Sequence, residues 1–275
     1  MSKFLSLFSN RFPIIGMIHV GALPGTPLYR GNFEQILQHA RAEGQIYLQS
    51  GVDGVLIENM HDIPYARPQD SVGPEVTAAM TRIAGTVRDI LPNVPCGVQI
   101  LAGCNREALA VAKASGLQFI RAEGFVFGHV ADEGMTDACA GTLLRYRKQI
   151  DAEHVLVLTD IKKKHSSHAI TSDVSIGETA QAAEFFLSDG LIVTGTSTGA
   201  SADLAELESL EGRVKLPLII GSGLTVDNLP DYWRLAQSAI VGSHFKTNGH
   251  WSAELCAKRI QIFMDRINAL RQTGG

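Results

Sequence analysis

The chain has 275 residues, of which 45% are apolar and 19% charged. That balance supports a sizeable core and excludes a disordered chain. With 24 basic and 28 acidic residues the net charge is −4, so the basic field that general nucleic-acid binding requires is missing, and no apolar stretch is long enough to span a membrane.

The four cysteines, Cys96, Cys104, Cys139 and Cys256, are widely spaced and form no Cys-x-x-Cys pair. This points to a reducing compartment and away from a disulfide framework or a structural zinc site. Residues 1–12 carry Lys3, Arg11, several apolar side chains and no acid. They read either as a short mitochondrial presequence, with the matrix as destination, or as an amphipathic first turn capping a barrel floor in a cytoplasmic protein; the capping turn is preferred.

Short apolar runs follow in order at Ile14–His19, Gly54–Glu58, Gly97–Leu101, Phe119–Arg121, Val155–Asp160, Leu191–Thr194, Leu218–Ile220 and Ala239–Val241. Helical patterns separate them, at 32–50, 74–91, 105–115, 137–151, 177–188, 201–210, 226–235 and 252–271. Runs that are apolar at both parities belong to strands buried on both faces, as in a parallel sheet covered by helices. Eight strand-then-helix units predict one domain, a (β/α)₈ TIM barrel, over an open doubly wound sheet. A weak internal repeat agrees: Ser50–Glu58, Ser115–Glu123, Ser188–Thr194 and Ser238–Ser243 each enter an even-numbered strand. In the first three a glycine follows the helix end, which suits a left-handed cap.

The stretches after the strands are the least regular, and in a barrel they form the C-terminal face where active sites sit. The strands end in groups too polar for a core: His19, Glu58-Asn59, Gln99, Arg121 with Glu123, Asp160, and Thr194. A carboxylate that terminates an apolar face must be solvated, paired or metal-bound. Glu58, Glu123 and Asp160 are therefore expected above one mouth, with Arg121, Lys162, Lys164 and His165 as counter-charges. Strict alternation sends Lys162 and Lys164 the same way, as phosphate ligands or as a Schiff-base amine. His165-Ser-Ser-His168 lies on a loop and reads only weakly as a metal pair.

The last two strands run into Gly221-Ser222-Gly223 and Gly242-Ser243. Glycines there let backbone N–H groups approach an anion closely, and barrels commonly bind phosphate at this place. Thr194-Gly195 is expected to complete the cradle, with Lys246 adding charge. A P-loop, a Gly-x-Gly-x-x-Gly fingerprint, a nucleophile elbow and a zinc-protease helix are all absent from the sequence.

Gly16-Met-Ile-His-Val-Gly-Ala-Leu-Pro-Gly25, Gly54-Val-Leu-Ile-Glu-Asn59, Leu143-Leu-Arg-Tyr-Arg147, Thr194-Gly195 and Val241-Gly242 resemble the BtpA/SgcQ family over about residues 13–250. The first block is the most specific. The resemblance implies a ribulose-phosphate-binding type of barrel, and family roles that range from photosystem I biogenesis to phosphate-ester chemistry beside sugar metabolism. The chain departs from bacterial members at Val98–Asn105 and Ile120–Gly124. At Asp160–His165 it keeps only the Asp and the final Lys-His, and it looks more like uncharacterised animal members.

The expectation is thus an enzyme for a phosphorylated small molecule, a sugar phosphate or nucleotide-like ester. Asp160 and Glu58 are the acid/base pair, and Lys164 or His19 stabilises developing negative charge. Asp160→Asn should stop turnover with the fold intact. No cofactor is required, although Mg²⁺ or Mn²⁺ on Glu58, Glu123 or Asp160 is compatible with the residues. A homo-oligomer is expected on fold analogy. The rival is a non-catalytic assembly factor, which an exposed apolar patch away from the mouth would favour.

Overall fold

The computed structural model describes residues 2–70 and 72–273. In chain order the elements are β1 (Ile14–His19), α1 (Phe33–Ser50), β2 (Gly54–Glu58), α2 (Pro74–Ile90), β3 (Cys96–Gln99), α3 (Asn105–Ser115), β4 (Phe119–Ala122), β5 (His129–Ala131) and β6 (Gly134–Thr136). They continue with α4 (Ala140–Gln149), β7 (Leu156–Ile161), β8 (Ser166–Ser167), α5 (Ile176–Phe185), β9 (Gly190–Val193), α6 (Leu204–Leu210), β10 (Leu218–Ile220), α7 (Leu229–Tyr232), β11 (Ser238–Val241) and α8 (Ala257–Thr273).

The eight apolar runs all become strands of one closed parallel barrel, in the order β1-β2-β3-β4-β7-β9-β10-β11 and back to β1. The expected (β/α)₈ barrel is the fold. Three short strands that the sequence left as irregular loop, β5, β6 and β8, pair antiparallel as a small separate sheet in the segments that follow β4 and β7. They are two or three residues long, too short to carry a readable alternation.

Side chains alternate between two apolar compartments, as strand geometry requires. One parity faces the helices. The other fills the barrel interior with Ile15, Met17, Leu56, Phe119, Leu156, Leu158, Ile192, Ile219 and Ile240. Phe4, from the first turn, is fully buried in that interior cluster and meets Phe119 edge-on with ring centroids 6.3 Å apart. The N-terminal residues therefore plug the floor.

Gly51 and Gly116 take left-handed conformations (φ 65° and 66°) and cap α1 and α3 as expected. At the third repeat the glycine is not the cap: Gly190 already lies in β9, and Leu187 carries the positive φ of 68°. The segment before β1 and the last turn of α8 meet at the floor. The Arg271 guanidinium donates to the Arg11 and Phe12 carbonyls and, at 2.6 Å, to the Asp53 carboxylate, which also accepts the Ile14 N–H.

Candidate active site

The inward parity that builds the core also delivers the polar groups. Register places His19 beside Glu58 and Glu58 beside Gln99, and Val98 opposite Ile120 brings Arg121 next in line. Four adjacent strands thus contribute one belt of polar side chains above the apolar interior. With the turns after β10 and β11 it lines a cavity of about 670 Å³ at the C-terminal mouth, a size typical of small-molecule sites.

His19 and Glu58 form the centre of the belt, with Nε2 and Oε2 3.7 Å apart and both residues buried. His19 Nδ1 lies 2.9 Å from the Trp251 carbonyl oxygen. Burial holds the imidazole below its usual pKa, outweighing the pull of Glu58. Gln99 is 2% exposed, and its Oε1 has no hydrogen-bond partner.

Asp160 does not open on this cavity. Its carboxylate takes two hydrogen bonds from Arg121, Nε at 3.0 Å and Nη2 at 2.9 Å, and its side chain is fully buried. The expected pair of Asp160 and Glu58 therefore does not meet in the cavity: both Asp160 oxygens accept from Arg121, and the side chain beside Glu58 is His19. Arg121 itself lines the cavity.

The lysine run corrects the alternation argument. Lys162 has φ 52° and His165 φ 54°, and these left-handed residues break the two-residue period. Lys162 turns away and donates to the Val174 carbonyl at 2.6 Å, whereas Lys163 and Lys164 both line the cavity. Lys163 lies 3.6 Å from Glu123 and from Glu133. Burial opposes its charge, but those two carboxylates outweigh it and raise its pKa. Lys164 is pushed down, by burial first and by the Arg121 charge second.

After β10 and β11, Gly221, Ser222, Gly223, Gly242 and Ser243 all line the cavity. A Cβ at Gly221 would sit 2.5 Å from Ile192 Cγ2, and one at Gly223, where φ is 73°, 2.3 Å from the Ala200 carbonyl. Only glycine lets the two chain segments approach this closely. Thr194 and Gly195 do not reach the cavity. The Gly195 N–H donates to Ser222 Oγ, which donates in turn to the Ala200 carbonyl. Their place is taken by Ser197, Thr198 and Gly199. The Thr198 N–H and hydroxyl lie 3.2 and 3.1 Å from His165 Nε2, so His165 serves this wall. Lys246 is buried against Glu43 on α1 and does not line the cavity. The cation here is Arg259 of α8, whose Nε donates to the His244 carbonyl at 2.7 Å.

Asn59 also lies behind the wall. Its Oδ1 accepts the Leu101 N–H and its Nδ2 donates to Asp62, which accepts the Leu23 N–H. It ties three loops together and does not line the cavity. Glu123 is fixed by the Gly103 N–H and Lys163. Glu58, Glu123 and Asp160 thus have separate partners, and among the described residues no three His, Cys, Asp or Glu side chains converge to hold a metal. His165 and His168 diverge, the latter donating from Nε2 to the Lys163 carbonyl. Burial pushes the Cys96 and Cys104 thiols up to about 12.

Sequence reasoning missed Tyr65, Asp132, Glu133, Lys163, Trp251 and Arg259, all on the cavity wall. None ends a barrel strand. Five lie in loops and Arg259 in the last helix, so strand parity gives no signal for them.

The BtpA family model matches residues 10–269. An uncharacterized mitochondrial protein of Caenorhabditis elegans is 48% identical over 276 residues, covering 99% of this chain and 98% of that one. Photosystem I biogenesis protein BtpA of Synechocystis is 31% identical over 261 residues, covering 94% of this chain and 89% of that one. Among solved structures, (S)-3-O-geranylgeranylglyceryl phosphate synthase from Thermoplasma acidophilum, in complex with sn-glycerol-1-phosphate, shares the fold. Its TM-score is 0.60 at 12% identity, with 96% of each chain covered.

Proposed function

This chain belongs to the BtpA family, and on that premise we propose that it is a barrel enzyme acting on a phosphorylated small molecule at the C-terminal mouth. The observation that carries the reading is the meeting of two features in one cavity. The glycine turns Gly221–Gly223 and Gly242-Ser243 line it together with the His19–Glu58 pair, and Gly242 packs directly against the His19 ring. The turns seat the phosphate on backbone N–H groups, with Arg259 as counter-charge. His19 Nε2 and Glu58, both buried, move protons at the carbon skeleton. The sn-glycerol-1-phosphate bound by the Thermoplasma synthase supports the phosphate end by fold analogy. The mitochondrial name of the Caenorhabditis relative supports a matrix location.

The test is a thermal shift with inorganic phosphate, sugar phosphates and nucleotides, each with and without Mg²⁺ or Mn²⁺. A ligand at about 100 times its Kd adds about 2.7 kcal/mol. Ser243→Asp, which puts a carboxylate in the anion's seat, should abolish the shift. No shift with any anion would remove the reading.

A second reading, an assembly factor or a self-associating barrel, is favoured by one observation. Phe185, Phe186 and Leu187 are 81%, 47% and 67% exposed, where α5 ends and the chain turns into β9, and so at the end of the barrel away from the mouth. Light scattering of the wild type and of Phe185→Asp decides it. A larger species that the variant dissociates supports association, and a monomer in both removes it.

A further inference from the structure

We propose that Lys164 bonds covalently to the substrate, which is a phosphorylated aldehyde or ketone held as an imine on Nζ. This rests on the phosphate-cradle reading above and adds the chemical class of the group that reacts.

The cavity has two lysines, and the structure treats them differently. Lys163 is neutralised by Glu123 and Glu133. Among the described residues, no carboxylate stands within ion-pair distance of the Lys164 ammonium, although Glu58, Asp160 and Glu123 act on it through space. A cation placed at a protein–cavity boundary with no counter-ion is unfavourable, and the simplest relief is to lose its proton. The neighbouring guanidinium of Arg121 enforces this. Arg121 cannot itself deprotonate, and Asp160, which would otherwise be available to Lys164, is bonded to it twice. An amine so placed is a nucleophile.

The backbone commits to this arrangement. The left-handed residues Lys162 and His165 bracket the two lysines and turn both to the mouth. A second, independent observation describes the partner. Gln99 Oε1 is buried, lines the cavity and lacks a donor. It asks for a hydroxyl hydrogen from the ligand, as a hydroxylated carbonyl compound supplies.

The step balances without a cofactor. The neutral Nζ attacks the carbonyl carbon, the C–N bond forms, and the C=O π pair moves to oxygen. The oxygen gains a proton while nitrogen loses one, through the His19–Glu58 pair of the same cavity. A second proton then lets that oxygen leave as water as the nitrogen lone pair closes the C=N bond. One water is released and nothing is oxidised or reduced.

The experiment incubates the full chain with dihydroxyacetone phosphate, and separately with glyceraldehyde 3-phosphate, in the presence of cyanoborohydride, which reduces an iminium to a stable secondary amine. Peptide mapping then locates the adduct. In parallel, tryptophan fluorescence reads binding of inorganic phosphate through Trp251 on the cavity wall. The expected result is a single adduct on Lys164 that excess phosphate suppresses, that unphosphorylated dihydroxyacetone does not give, and that is lost in Lys164→Arg. Lys164→Met is the second variant if arginine does not fold by circular dichroism. If phosphate binds but neither probe labels Lys164, or label spreads over lysines regardless of phosphate, the imine is overturned and the cradle stands. If phosphate itself fails to bind, the cradle falls and takes this inference with it.

Discussion

His19 Nδ1 stands 2.9 Å from the carbonyl oxygen of Trp251, 232 residues away in sequence. A carbonyl oxygen only accepts, so Nδ1 must carry the hydrogen, and in the neutral ring Nε2 keeps a lone pair. Burial favours that neutral ring. The loop after β11 therefore sets the protonation pattern of a side chain on β1, and it leaves the basic nitrogen beside Glu58. Nitrogen-15 NMR of the histidines at neutral pH should show His19 in the Nδ1–H form. An Nε2–H tautomer would contradict the acid–base assignment.

Asp160→Asn carries its main cost in stability, not in turnover alone. The substitution removes the charge that compensates buried Arg121. Breaking one partner of a buried pair costs about 3–5 kcal/mol, whereas replacing both by apolar residues of similar size is often near neutral. Urea unfolding should show that loss in Asp160→Asn and recovery in a double Arg121→Met, Asp160→Leu variant. An unchanged midpoint in the single variant would show that the pair contributes nothing.

Acid should destabilise the fold partly through His129. Burial first, then the charges of Lys163 and His168, push its imidazole down from 6.5 to about 4, and Nε2 has no partner. Below pH 6.5 the unfolded chain binds a proton that the folded chain refuses. Stability therefore falls between pH 6.5 and about 4, by about 3 kcal/mol in all, and is fully present above that window. His129→Leu should unfold with a shallower pH slope than the wild type in this window; parallel slopes would remove the claim.

Phe4→Ala tests the floor plug. Truncating a fully buried phenylalanine costs about 3–5 kcal/mol, and here the ring fills the interior against Phe119. Denaturant unfolding should lose that amount. A change below about 1 kcal/mol would mean that the interior closes without it.

Strand positions and their inward polar ends were legible because parity alone decides them. His19, Glu58, Gln99 and Arg121 end strands whose preceding alternate residues are apolar, and all four line the cavity. The same parity singled out Asp160 but could not say that Arg121 claims both its oxygens, a contact across two strands. It failed at Lys162, whose positive φ resets the direction of the chain. The expected phosphate cradle failed at Gly195 and Lys246, which tertiary contacts with Ser222 and Glu43 turn aside. Arg259 was beyond the reach of parity, since a helix that packs outside the barrel lends one side chain over the rim.

The Arg271 contacts with Phe12 and Asp53 have a practical corollary. They bring the segment just before β1 and the last turn of α8 together at the floor, with the mouth at the far end of the barrel axis. A tether or affinity handle leading on from Thr273 would leave the cavity facing open solution. The seam also suits circular permutation. A short linker across it, with new ends cut in a floor-side turn, would keep every strand neighbour and every cavity residue in place.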